Sequence, residues 1–384
     1  MILGVAFVWF TTHFGGGFAS GAQIYSYYVR YGIWSLFLPL FAMAYNGVFF
    51  AYCLYFARKH EVYDYRSYNN AFYGRFAPLF SNLFELLYLC VMCVAPAVAF
   101  ATGGATLSTL TSLPYLLSTF VIGAFIFVVS VFGTDLVRKV ASVLSICIIA
   151  GLLIVYVPNI IAGAGKIGDT VNAMKTADLP FGKALYAAFL YGTFQLANVA
   201  VFVQHAKSFE KPQDAGKSMA VGAVLNALLM IMVVLGIMTV YQNPEMSQQS
   251  VPTLFIVQQG VGSKFMPPLI SVLIILGAVS TAVNMVAAMV KRIHAGLAER
   301  SSRTETAGKI SRTQILAALA CCIADFLIAQ LGLLTLIQKA YSILAYLAIP
   351  VILLPYVFHM IATRFEEMRR KPENEICCPS CIIK

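Results

Sequence analysis

The sequence predicts an all-α integral membrane protein: ten transmembrane helices in a 5+5 inverted repeat, with helices 1 and 6 broken. Three observations carry that reading. Apolar residues make up 60% of the 384 and charged residues 11%, against roughly 25% charged in soluble domains. Cutting the chain at its charge clusters leaves ten apolar stretches, each near the ~20 residues that cross a bilayer. Finally, Phe14 to Gly21 reads Phe-Gly-Gly-Gly-Phe-Ala-Ser-Gly inside the first stretch, and glycines weaken a helix because they lose the most backbone entropy on ordering.

The first span, Ile2–Val29, has no positive segment ahead of its apolar run, and the run continues past the glycines, which excludes a signal peptide. Span 2 is Ile33–Ala57. His60 to Phe76 is polar and tyrosine-rich, as an interfacial helix would be. Spans 3, 4 and 5 are Pro78–Gly103, Leu113–Gly133 and Val140–Ala162. Span 6, Ala184–Gln204, carries Tyr191-Gly192-Thr193-Phe194-Gln195-Leu196-Ala197-Asn198, with polar groups where a lipid-facing helix carries leucine. Span 7 is Ser218–Tyr241. The following segment, Glu245 to Ser263, holds Val251 to Val257, whose Pro252 suits a helix start, so a short helix capping an outer vestibule is expected. Span 8 is Phe265–Val290, followed by a hydrophilic loop at Glu299 to Lys309. Spans 9 and 10 are Thr313–Gln330 and Leu333–Ala362.

Charge orients these spans. Of the 26 basic residues, 20 fall in alternate segments that include the C-terminal one. The other 6 are Arg30, Lys166, Lys175, Lys183, Lys264 and Lys339. By the positive-inside rule both termini are cytoplasmic and the number of spans is even. The net charge of +10 thus follows the loops and is no sign of a nucleic-acid partner; the expected partners are the lipid bilayer and a small-molecule substrate. The domains are residues 1–162, a first five-helix repeat, 180–362, a second one, and 363–384, a cytoplasmic tail.

Broken helices at corresponding places in two halves are how many secondary transporters build a midplane site. Freed backbone groups at membrane depth are tolerated only where protein or a water-filled cavity covers them. The candidate substrate-binding residues are therefore Gly15, Gly16, Gly17, Ser20 and Gln23 in span 1, and Tyr191, Gly192, Thr193, Gln195 and Asn198 in span 6. A half-helix starting near Ala19 would aim its positive end at an anionic group. The competing reading of Gly17-x-x-x-Gly21 is a helix-packing face. Gln195 and Asn198, three apart, share one face, and interhelical bonding competes for Asn198.

Gly-Gly-Gly-Phe-Ala-Ser-Gly-Ala-Gln-Ile at 15 to 24, followed by Tyr27-Tyr28-Val29-Arg30-Tyr31-Gly32, resembles the signature of the YkvI-like bacterial membrane proteins. These belong to the amino acid–polyamine–organocation (APC) superfamily, whose members share the LeuT-like fold. Ala22 and Gln23 stand where that family commonly has Gln-Glu, so a proton-carrying glutamate is absent here. The resemblance implies a bacterial inner membrane protein. In sodium-coupled members of the superfamily, adjacent hydroxyls on span 8, a carbonyl three residues earlier and two span 1 carbonyls bind Na+. On this chain that implies Ser280, Thr281 and the Gly277 carbonyl, with carbonyls near Thr11 and Phe14. Oxygen donors suit a hard cation; the alternative is that these hydroxyls bond back to their own helix.

Ionisable groups inside spans are functional candidates by default. His13 and Glu85 are the possible proton sites, and Glu85 also lies near enough to the cytoplasmic face to reach it. Asp325 marks either a homodimer contact or a hydrogen-bonded structural carboxylate. Lys339 and His359 are expected to snorkel. Asn46, Asn226 and Asn284 read as interhelical glue.

Six of the nine cysteines lie in spans. Cys377, Cys378 and Cys381 crowd the tail, which reads as reduced and disordered, because one Cys-x-x-Cys lacks the second pair that structural zinc needs. No cofactor is expected beyond Na+ as a coupling ion. The expected function is secondary active transport of a small organic solute, an amino acid or related zwitterion or carboxylate, by alternating access with Na+ coupling. Proton coupling or exchange through His13 or Glu85, and a non-transporting amino-acid receptor, are the alternatives. An enzyme is disfavoured, since no nucleophile neighbours a base, and a channel lacks a filter-like loop.

Overall fold

A computed structural model of the chain describes residues 2–13, 15–132, 134–177, 179–298 and 311–363. It is about 88% helical, with no strand among the described residues. Eight helices are long and apolar enough to cross a membrane, or nine if one bent pair counts as a span, and Ile2–His13 is a shorter apolar helix. The outward faces carry large apolar side chains, among them Leu116, Phe120, Phe132, Leu316, Leu327 and Phe358. Hydrocarbon, not water, suits such a surface, and these helices mark a membrane protein. The tail cysteines, the loop at 299–309 and Phe14 lie outside the described residues.

The first span is three pieces: α1 (Ile2–His13), the single turn α2 (Gly16–Ala19) and α3 (Ala22–Tyr27). Gly21 sits between the last two at φ 79°, a left-handed conformation that glycine enters without Cβ strain. The chain thus breaks on both sides of one helical turn. Gly16 and Gly17 belong to that turn and are not unwound, and the second half starts at Ala22, not near Ala19. The turn at Gly21 also removes the Gly17-x-x-x-Gly21 packing face.

Helix α4 (Leu38–Lys59) follows with Pro39 in its first turn, where the missing N–H costs nothing. Helix α5 (Tyr65–Tyr73) forms within the polar segment where a helix was expected. Asp64 caps it, accepting from the Arg66 and Ser67 amides at 3.1 and 2.9 Å. Helix α6 (Ala77–Thr111) runs on past Gly103, with Pro96 inside it. Helices α7 (Tyr115–Phe132) and α8 (Thr134–Ala162) come next.

Sequence reasoning missed α9 (Ala164–Thr176), which turns 77° from α8 at Gly163. A Cβ at Gly163 would fall 2.7 Å from Thr239 Cγ2 and 2.8 Å from the Asn159 carbonyl oxygen. Glycine lets this elbow press against the neighbouring helix.

The sixth span opens as α10 (Phe181–Gln195), tightens to a 3-10 turn at Leu196–Asn198, resumes for the single turn α11 (Val199–Phe202), and tightens again at Val203–Ser208. The expected break at Tyr191 to Thr193 is displaced towards Asn198, and it is a tightening without loss of helical dihedrals. Gly192 serves close packing instead: a Cβ there would meet the Tyr45 ring at 2.6 Å.

Helix α12 (Asp214–Met238) leads to the short helix predicted between spans 7 and 8, α13 (Pro252–Gln259), with Pro252 at its start. Helix α14 (Met266–Ala298) precedes α15 (Arg312–Ala329), whose start carries a Ser311/Gln314 capping box. The last helix, α16 (Leu333–Ala362), contains two π-turns, Leu336–Ala340 and Ile349–Leu353. A π-turn frees a backbone carbonyl, and here tyrosines accompany both. Tyr27 donates to the Ile337 carbonyl and Tyr73 to the Val351 carbonyl, each at 2.8 Å.

Two packing groups result. In one, α12 lies against α4 and α1, and α10 against α4; in the other, α6 and α14 form the central pair, with α7, α8 and α15 around them. Burial separates central from peripheral helices: 72% of the apolar window of α4 is buried, against 28% for α15. Turn α2, which follows α1 of the first group in the chain, packs on α6 and α14 of the second.

Candidate functional site

The break in the first span faces a cavity of about 90 Å³ where both groups meet. Thr12 and His13 at the end of α1, Gly15 and Gly17 beside the break, and Gln23 of α3 form one side. Phe194, Gln195 and Asn198 of the sixth span form another. Val91, Ala95 and Val98 of α6, Thr281 and Met285 of α14, and Tyr341 and Leu344 of α16 complete the wall. No Asp, Glu, Lys or Arg lines it among the described residues.

Its polar atoms are in different states. Asn198 Nδ2 donates to Gln195 Oε1 at 2.7 Å, the same-face pair that their spacing predicts. Gln23 is 6% exposed, and its Oε1 is buried without a hydrogen-bond partner. A buried acceptor left unmade costs about 1–3 kcal/mol, so its place on a cavity wall asks for a donor from a ligand or water. Its neighbour Gly17 keeps the amide where it is: a Cβ at position 17 would sit 2.8 Å from Gln23 Nε2.

Other predicted residues stand behind the wall. Ser20 donates to the Gly17 carbonyl at 2.9 Å and accepts from the Ala22 amide at 3.3 Å, which fixes the break itself. Tyr191 reaches His13. Thr193 donates to the Phe189 carbonyl at 2.7 Å and meets Tyr45 Oη at 3.2 Å, so Thr193 and Gly192 face α4 and not the cavity. Nothing is described for Gly16 beyond its place in α2.

Of the cation set, Thr281 and Gly15 adjoin: a Cβ at Gly15 would lie 3.8 Å from Thr281 Oγ1. Thr281 Oγ1 donates to the Gly277 carbonyl at 3.0 Å, and Thr11 Oγ1 to the Val8 carbonyl at 3.1 Å. Both hydroxyls thus bond back to their own helices, and Thr12, not Thr11, lines the cavity. Ser280 is half-buried beside Thr281. Among the described residues no cluster of His, Cys, Asp or Glu has the makings of a metal site.

Over the break sits α13. The Thr253 amide donates to the Ser20 carbonyl at 3.0 Å and its hydroxyl to the Ala19 carbonyl at 2.9 Å; Tyr156 Oη lies 2.7 Å from the same hydroxyl. The carbonyls freed by the break are thereby satisfied by the short helix that was expected to cap this end.

Glu85 is away from the cavity. It pairs with Arg292 of α14 and accepts from Tyr65 Oη at 2.7 Å; Arg292 also bonds Tyr65 Oη and lies 5.1 Å from the Tyr65 and Tyr88 ring centroids. This cluster bolts α5 to α6 and α14. Hydrogen bonds to charged groups contribute about 1.5–3 kcal/mol. The pair is 25% and 29% exposed, which favours the low end of that range. Arg292→Met should lower the thermal midpoint of the purified protein, and Glu85→Gln should lower it less because Tyr65 keeps a partner. Equal midpoints for wild type and Arg292→Met would show the cluster to be idle.

Asp325 is 4% exposed on α15 and has no hydrogen bond or ion pair to any described residue, which departs from the structural-carboxylate expectation. His359 does not snorkel: its Nδ1 lies 2.5 Å from Tyr52 Oη. Asn226 does act as glue, whereas Asn46 is buried with both side-chain polar atoms unpaired.

The wall residues that sequence reasoning overlooked are mostly apolar. On α6, Val91, Ala95 and Val98 follow i, i+4, i+7 spacing around Pro96, and an intrahelical proline among alanines was the available signal. Tyr341 had none, since its position depends on the π-turn before it.

Compared with known proteins, the chain matches no family model and shows no significant similarity to a curated protein.

Proposed function

We propose that the chain is a secondary active transporter of a small organic solute, an amino acid or a related zwitterion or carboxylate. The observation that carries this reading is the cavity at the break in the first span, which holds the buried, unpartnered Gln23 Oε1. In this reading the ten apolar segments are ten spans in the LeuT-like 5+5 arrangement, with cytoplasmic termini in a bacterial inner membrane. The α1, α4, α10 and α12 group rocks against the α6, α7, α14 and α15 group to alternate access. The resemblance of residues 15–32 to the YkvI-like proteins supports it. Among the described residues the wall carries no full charge, so a zwitterion must balance its own charges and a carboxylate must enter with a cation. The cavity equals about three water volumes, so it suits a small solute, and a larger one requires the groups to part.

Sodium is the preferred coupling ion. The donors implied by the resemblance are oxygens, and Thr281 adjoins the break at Gly15. A bound Na+ would supply positive charge beside a substrate carboxylate; Thr281 would have to exchange its bond to Gly277 for the ion. Glu85 is occupied by Arg292, which weighs against a proton route through it.

The experiment is thermal stability of the purified protein with a panel of amino acids and small carboxylates, in sodium or potassium salt. Ligand at a hundred times its Kd stabilises by about 2.7 kcal/mol. A stabilising ligand that acts only in sodium is the expected result, and Ser280→Ala with Thr281→Ala should abolish the sodium requirement while leaving the protein folded. A sodium requirement that survives both substitutions overturns the cation site. Uptake of the same ligand into proteoliposomes separates transport from reception without turnover.

A further inference from the structure

His13 is the last residue of α1 and is 4% exposed, and both its ring nitrogens are engaged across helices. Nδ1 lies 2.7 Å from Asn226 Oδ1 of α12, and Nε2 lies 2.5 Å from Tyr191 Oη of α10. The orientation of Asn226 is set independently, because its Nδ2 donates to the Gly222 carbonyl at 2.8 Å, one turn back on α12. The amide oxygen therefore faces the imidazole. An amide oxygen only accepts, so Nδ1 must carry a proton. Nε2 is then the acceptor of the neutral ring, and the buried Tyr191 hydroxyl donates to it.

One protonation state thus satisfies all the polar atoms of this group. The other tautomer, with its proton on Nε2, would leave an acceptor Nδ1 facing the acceptor oxygen of Asn226. The groups facing the ring are Tyr191 from α10, Asn226 from α12 and Phe18 from α2.

We infer that His13, as an Nδ1–H imidazole, ties α1, α10 and α12 into one body beside the cavity as a positioning residue. All three helices belong to the same packing group. The tie holds the end of α1, and hence the start of the break, at a fixed place relative to Tyr191. It does not depend on the chain being a transporter.

The test is nuclear magnetic resonance of the full-length protein in bilayers, with isotope-labelled histidine ring nitrogens, whose shifts separate Nδ1–H, Nε2–H and imidazolium. His13 is assigned as the signal lost in His13→Gln. If that variant does not fold, it is assigned as the one signal whose Nε2 moves in Tyr191→Phe. The expected result is the Nδ1–H tautomer, with Nε2 as the acceptor. Tyr191→Phe removes the donor to Nε2 and should move that nitrogen's shift while leaving the Nδ1–H tautomer. An Nε2–H tautomer, or an Nε2 shift unchanged in Tyr191→Phe, would overturn the assignment.

Discussion

Gly17→Ala should abolish most ligand affinity while barely changing the stability of the ligand-free protein. A Cβ at this position falls 2.8 Å from Gln23 Nε2 and 3.3 Å from its Cδ, closer than side chains approach. What gives way is the far end of the Gln23 side chain, so the fold is spared and the amide is displaced. Gln23 Oε1 is the unpartnered acceptor on the cavity wall, and losing a bond to such a group costs about 1.4 kcal/mol or more, tenfold in affinity. The check is a double-mutant cycle, read by ligand-induced thermal stabilisation with whichever ligand the panel identifies. If the effect travels through Gln23, Gly17→Ala adds nothing in a Gln23→Ala background. Additive losses would instead mean that the alanine obstructs the cavity directly.

Gly104→Val should be the reverse case, severe for stability irrespective of ligand. On α6, Gly103 and Gly104 face α7, and a Cβ at Gly104 would lie 2.3 Å from Thr119 Oγ1 and 2.9 Å from the Thr119 Cα. Backbone cannot rotate away as a glutamine amide can, so the two helices must separate. Small residues at such crossings let helices in a membrane gain packing that no hydrophobic effect supplies. Overpacking costs about 1–3 kcal/mol for modest insertions, and a β-branched side chain against backbone belongs at the upper end. A thermal midpoint close to wild type would show that α6 and α7 do not meet in this way.

The contrast between these glycines also defines what could be read from the sequence. The apolar segments were legible, because membrane thickness and backbone satisfaction leave few choices for a run of about twenty apolar residues. The break near Phe14 to Gly21 was legible too, since four glycines between positions 15 and 21 oppose a continuous helix. So were α13, from Pro252, and α5, from its polarity. Gly192 looked equivalent to the span 1 glycines, yet it packs against Tyr45 within an intact helix. A single glycine permits either outcome, and only the neighbouring helix decides between them.

Composition and order along the chain therefore determined by themselves that this is a helical membrane protein with an interruption at residues 14–21. Tertiary structure decided what each polar group does. It placed Gln23 on the cavity wall without a partner and turned Thr193 towards Tyr45. It spent Glu85 on Arg292 and joined His13 to residues 178 and 213 positions away. The reason is physical. Local periodicity and backbone cost act within a few residues, whereas a buried donor or acceptor is satisfied by whatever atom the packed helices bring within about 3 Å, and that partner is fixed only when the helices meet.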